Sequence, residues 1–227
     1  MADRPALADV LASAARLQEL VPDAVLVGGS AAAYYAGHRD SFDHDHVLAD
    51  LAARFDAVLE AVESQDGWVT NRVAYGKIIL GELGGIETGV RQLIRRTPLE
   101  VARVELPSGH ALTVPTPEET LRVKAFLAVR RNQTRDYLDV AALAERFGVT
   151  AAGATLARID DFYADQHGTG DGVASQVARQ LADPRPADVP TTRELHRYKN
   201  LAPRWHDWDE VVRTCRAVAA AMLEAAP

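Results

Sequence analysis

Two aspartates at alternate positions, Asp43 and Asp45, follow a Gly28-Gly29-Ser30 turn at a short distance along the chain. On an extended strand alternate side chains share a face, so the two carboxylates point together while His44 and His46 face the other way. Carboxylate oxygens suit a hard cation, and magnesium is commonly held by one or two of them together with waters and substrate phosphates. A glycine pair and a serine opening a helix offer free backbone amides at the positive end of the helix dipole, where a triphosphate can be held. Gly-Gly-Ser alone is also an ordinary strand-to-helix turn, and Asp-x-Asp alone a solvated strand edge. Their order here, with Arg39-Asp40-Ser41 between them, is the layout that nucleotide transfer needs. A zinc reading of the histidines fails, because neighbouring strand positions diverge to opposite faces.

The elements that must position these residues are legible from periodicity. Leu7, Val10, Leu11, Ala14, Leu17 and Val21 recur at helical spacing, and 24–27 is a short apolar strand leading into the glycine pair. A short helix over 30–36 is expected to end at Gly37, and 42–48 is expected to be the strand carrying both aspartates. Leu51, Phe55, Val58, Leu59 and Val62 mark an amphipathic helix. The stretches 69–83 and 86–93 are strand-like about Gly84-Gly85, and 99–106 pairs naturally with 111–114. From Pro117 onward the pattern is helical, with helices expected near 118–131, 133–146, 151–165, 173–182 and 208–224. Glycine-rich residues 167–172 and proline-rich 183–190 read as loops.

At 227 residues the chain can bury a sizeable core without staples. The single cysteine, Cys215, excludes an internal disulfide framework and fits a reducing compartment. No basic, apolar leader and no long apolar span is present, so a cytoplasmic protein with no membrane partner is expected. The net charge of -7 argues against an all-over nucleic-acid surface. The distribution is uneven, however: residues 1–66 hold 4 Lys and Arg against 12 Asp and Glu, while 91–135 hold 9 against 4. The acidic part carries the aspartate pair, and the basic part suits a polyphosphate or an RNA end.

Gly28-Gly29-Ser30, Arg39-Asp40-Ser41-Phe42-Asp43-His44-Asp45, then Lys124, Arg131, Arg135-Asp136 and Asp139 resemble the AbiEii/AbiGii-type (MenT-like) nucleotidyltransferases. This is a toxin-containing branch of the DNA polymerase β-like superfamily, and the resemblance covers about residues 20–147. It implies an α+β fold, with a nucleotidyltransferase mixed sheet over 1–116 and a helical bundle over 117–227 that completes an active-site cleft. It further implies transfer of a nucleoside monophosphate from a nucleoside triphosphate to a hydroxyl with two metal ions, Mg2+ or alternatively Mn2+. By the resemblance, Asp43 and Asp45 are metal ligands, with Glu87, or Glu82 in its place, as the third. Lys124 would bind the triphosphate as a point charge, and Asp136 would orient the nucleotide or Lys124, or accept the acceptor's proton. Ser30 and Ser41 would contact phosphate oxygens with Gly28 and Gly29, and Arg39 would counter charge nearby. The implied acceptor is a tRNA 3′ end, with inhibited translation as the consequence and a cognate antitoxin as partner. A protein side chain or an aminoglycoside as acceptor, or a catalytically silent nucleotide-binding module, are the competing readings. The basic and aromatic stretch from Arg193 to Trp208 reads either as an RNA-contacting edge or as an ordinary helix start.

Overall fold

The computed structural model describes residues 5–166 and 170–225, so three of the six residues expected as a glycine-rich loop, 167–169, lie outside the described residues. Contacts divide the chain into two compact units. One takes the chain up to Tyr34, then Ser41–Ile94 and Pro98–Thr116; the other takes Tyr35–Asp40, Arg95–Thr97 and the chain from Pro117 onward.

The first unit opens with α1 (Leu7–Leu20), whose buried stripe of Val10, Leu11, Ala14 and Leu17 matches the expected spacing. Strand β1 (Val25–Val27) runs directly into α2 (Gly28–Ala36), and β2 (Asp43–Leu48) carries the aspartates. After α3 (Phe55–Glu63) come β3 (Trp68–Ala74), β4 (Ile78–Leu83) and β5 (Ile86–Gln92). The five strands form one mixed sheet in the order β1-β2-β5-β4-β3, parallel only between β2 and β5. One face of it packs Leu48, Ile79, Leu83 and Val90 with Leu17, Phe55, Val58 and Val62 in a single apolar core. A separate pair, β6 (Val101–Glu105) and β7 (Ala111–Pro115), completes the unit, with Gln18 of α1 exchanging two hydrogen bonds with the Thr113 backbone.

The second unit holds α4 (Pro117–Arg131), α5 (Thr134–Phe147), α6 (Val149–Ala157), α7 (Asp160–Tyr163), α8 (Val173–Ala182), α9 (Val189–Thr192) and α10 (Trp208–Ala225). Helix α10 packs on α6, α8 and α5. Its crossing with α6 is close because Gly153 leaves out a side chain; a Cβ there would overlap Ala221. Cys215 lies buried in this bundle, and burial pushes its thiol up to about 12, so it is a core residue.

The α+β class with a mixed sheet and a helical C-terminal part is therefore as expected, and two element boundaries are corrected. The expected strand over 69–83 is two strands, because Gly76, at φ +68, turns the chain between them. The Gly84-Gly85 hairpin does form, with both glycines at positive φ. The expected helix over 151–165 is broken after Ala157: Ile159 is fully buried, and Asp160 turns its carboxylate to accept the Ala174 amide.

Candidate active site

Alternation along β2 separates chemistry from core. His44, His46 and Leu48 are buried on the packed face, whereas Asp43, Asp45 and Val47 are half-buried on the other. His44 is fixed between the Ser13 and Thr88 hydroxyls, at 3.1 and 2.9 Å, and burial lowers it to about 4 despite the nearby Asp43 carboxylate. Burial holds His46 well below the ordinary imidazole value. Both rings are neutral parts of the core.

On the aspartate face, parallel pairing sets Glu87, Gly89 and Arg91 of β5 beside Asp43, Asp45 and Val47. Gly89 is what makes room for the Asp45 carboxylate: a Cβ there would lie 2.8 Å from Asp45 Oδ1. Arg91 Nε donates to that same oxygen at 3.2 Å, and Ser41 Oγ donates to Asp43 Oδ1 at 3.3 Å. Gly28, at φ +78, approaches from β1 so closely that a Cβ on it would contact the Asp45 side chain. The turn at Gly28 and the Asp45 side chain thus lie side by side. A cavity of about 230 Å³ opens on this face, lined by Asp43, Asp45, Asn71, Leu80, Glu87 and Arg91 among others.

Several expected roles look different in this geometry. Ser30 is buried, and its hydroxyl donates to the Asp43 carbonyl at 2.5 Å, tying the start of α2 to β2. Among the described residues no three His, Cys, Asp or Glu side chains gather as metal ligands. Glu87 is in register with Asp43 but exposed, and Glu82 accepts a hydrogen bond from Asn71. The pair Asp43 and Asp45 still suits magnesium: two half-exposed carboxylates share a face, one in a recess kept clear by a glycine, and this ion takes one or two carboxylates and completes its shell with water and phosphate.

The second unit contains a buried charge cluster. Asp139 Oδ1 accepts from Arg39 Nε at 2.8 Å and faces His38 Nε2 at 2.7 Å, while Oδ2 accepts from Arg39 Nη2 at 3.0 Å and pairs with Lys124 Nζ at 2.6 Å. Burial alone would raise the Asp139 carboxyl, but Arg39, Lys124 and His38 together hold it well below the usual range. Arg39 is therefore not a cation awaiting a phosphate, as expected from sequence; its guanidinium is closed on Asp139 and buried. Lys124 is buried too, between Asp139 and, at 3.6 Å, Asp136. Asp136 is fully buried with no hydrogen-bond partner on either oxygen, and burial, outweighing Lys124, raises its pKa. Trp205 is buried under Arg204, which is ion-paired with Glu145 and Glu210, so that aromatic ring offers no surface.

Sequence reasoning missed Gly89, Arg91 and His38 and gave Asp139 no role of its own. A glycine inside a strand pattern signals a close approach, which marks Gly89 in retrospect. Arg91 becomes visible only once β2 and β5 are known to pair in parallel, and nothing in the sequence singles out His38.

The solved structure of MenT4, a nucleotidyltransferase toxin from Mycobacterium tuberculosis, superposes with a TM-score of 0.58 over 96% of this chain and 84% of that one, at 18% identity. The fold is that of the nucleotidyltransferases. The antibiotic-resistance factor ANT(2'')-Ia shares this nucleotidyltransferase fold with a TM-score of 0.50 over 70% of this chain and 93% of that one, at 15% identity. In sequence the chain is similar to the heme uptake protein MmpL11 of Mycobacterium tuberculosis, 33% identical over 246 residues that cover 96% of this chain. The chain spans only 23% of that protein's length. No protein-family profile matches the chain. Among the described residues no helix is long and apolar enough to cross a membrane.

Proposed function

We propose that the chain is a magnesium-dependent nucleotidyltransferase that moves a nucleoside monophosphate from a nucleoside triphosphate to the 3′ end of tRNA, and that it acts as a cytoplasmic toxin of the AbiEii/AbiGii type held in check by an antitoxin. The observation that carries the chemistry is the aspartate face: Asp43 and Asp45 side by side, Gly89 leaving space for a carboxylate, and Gly28-Gly29-Ser30 next to them. In the reaction the acceptor oxygen bonds to the α-phosphorus, the bond to the bridging oxygen breaks, and pyrophosphate leaves. Asp43 and Asp45 would hold the magnesium ion, which supplies charge neutralisation for the phosphates and activation of the acceptor hydroxyl. The amides opening α2 bind the triphosphate, assisted by the helix dipole. Asp136 is assigned to the acceptor's proton, since a carboxyl whose pKa is raised by burial suits a group that takes up a proton, and Lys124, buried between Asp139 and Asp136, would reach phosphate only by leaving Asp139. The likeness to a structure described as a toxin supports the setting.

The ANT(2'')-Ia likeness favours one second reading, in which the acceptor is a small polyhydroxylated molecule such as an aminoglycoside. The test incubates purified protein with magnesium, each of four α-labelled nucleotides, and either total tRNA or an aminoglycoside, beside Asp43→Ala. Label entering tRNA only with intact Asp43 is expected. Label entering only the aminoglycoside replaces the acceptor, and label entering neither overturns the assignment.

A further inference from the structure

On the helical unit Arg158, Arg179, Arg204 and Arg213 are each closed on a carboxylate. Arg135, Arg193 and Arg197 are exposed, and among the described residues none of their side chains has an acid or hydrogen-bond partner. The fold brings their segments together. Asp188 accepts from the Thr134 amide and hydroxyl, at 2.8 and 2.9 Å, so α9 docks at the N-terminal end of α5, and the chain continues through Arg193 and a 3-10 turn over Leu195–Arg197 to Tyr198. Tyr198, half-buried, directly follows that turn, and its hydroxyl is raised chiefly by burial.

Arg135 is the second residue of α5, where the helix dipole disfavours a cation; the carboxylates of Asp188, which caps this helix end, and of buried Asp136 lie nearby, but neither forms an ion pair with it. Unpaired cations beside an aromatic ring are the combination that single-stranded nucleic acid uses, its phosphates on the charges and a base against the ring.

We propose that Arg135, Arg193, Arg197 and Tyr198 form a surface for the single-stranded end of an RNA, which rests on the transferase reading above by giving its acceptor a place to lie. Binding of 5′-fluorescent tRNA to the full chain, followed by anisotropy across a salt series, tests it apart from catalysis. Replacing the three arginines by glutamine weakens binding at low salt and flattens the slope of log affinity against log salt by about 0.7 to 0.9 for each phosphate that is no longer neutralised. Tyr198→Leu weakens binding without changing the slope, and Arg158→Gln changes neither. Asp43→Ala binds tRNA like wild type while losing transfer, which separates the surface from the chemistry. An unchanged slope in the triple variant, with circular dichroism showing it folded, overturns the proposal. So does wild type that labels an acceptor yet shows no tRNA affinity at low salt, or whose arginines are needed only for an acidic protein partner.

Discussion

Arg91 donates to Asp45 at a point where Gly89 contributes no side chain, so the carboxylate that would face a metal ion already has a cation on one oxygen. Both side chains are about one-third exposed, and such a pair is worth less than about 1 kcal/mol. Arg91→Met is therefore expected to tighten Mn2+ binding to the nucleotide-free protein by about two- to fivefold, read by electron paramagnetic resonance of free Mn2+. Gly89→Ala is expected to act oppositely, weakening Mn2+ binding about tenfold or more, because the new methyl would displace the Asp45 carboxylate. Equal affinities in all three proteins would remove Asp45 from the metal site. Asp139 makes a different prediction. Its replacement by alanine leaves Arg39 and Lys124 buried without their shared anion, and urea unfolding should show a loss of about 3–5 kcal/mol. A loss below about 1 kcal/mol would show that this cluster is not a structural centre.

Strand β2 shows how far an element can be read from sequence. Its alternation put Asp43 and Asp45 on one face and His44 and His46 on the other, and the fold keeps that separation. The partner strand was not legible, because parallel pairing of β2 with β5 follows from the crossover of the chain and not from local residues. That is why Gly89 and Arg91 escaped notice and why Glu87 looked better as a ligand than its exposure supports. Element ends failed similarly, where Gly76 between two strands and Asp160 between two helices outweighed longer apolar patterns. The core-side histidines have a pH consequence. His38, His44 and His46 are all lowered, chiefly by burial, so the unfolded chain binds protons that the folded chain refuses. Stability is complete above the free-histidine value of about 6.5 and falls as pH drops below it; His44, at about 4, accounts for about 3 kcal/mol of that loss. Denaturant midpoints from pH 7 to 4 should fall, and less steeply in His44→Gln. A flat profile over that range would mean the histidines are protonated in the folded protein.

For the whole molecule, one unit offers a carboxylate face and the other a charged helical bundle, and the basic stretch 91–135 is shared between them, since 91–94 and 98–116 belong to the first unit. The bundle's geometry was the less legible part: residue spacing located α4, α5, α8 and α10, but not that Lys124 and Arg39 converge on Asp139. Distinguishing nucleotidyl from phosphoryl transfer tests the central claim most directly. Parallel reactions would carry α-labelled or γ-labelled nucleoside triphosphate with magnesium and tRNA, with Asp43→Ala and chelator as controls. The account predicts α-label in the acceptor and γ-label in pyrophosphate, both absent in Asp43→Ala and after chelation. The γ-label in the acceptor, or α-label transfer indifferent to Asp43 or to the metal, would contradict it.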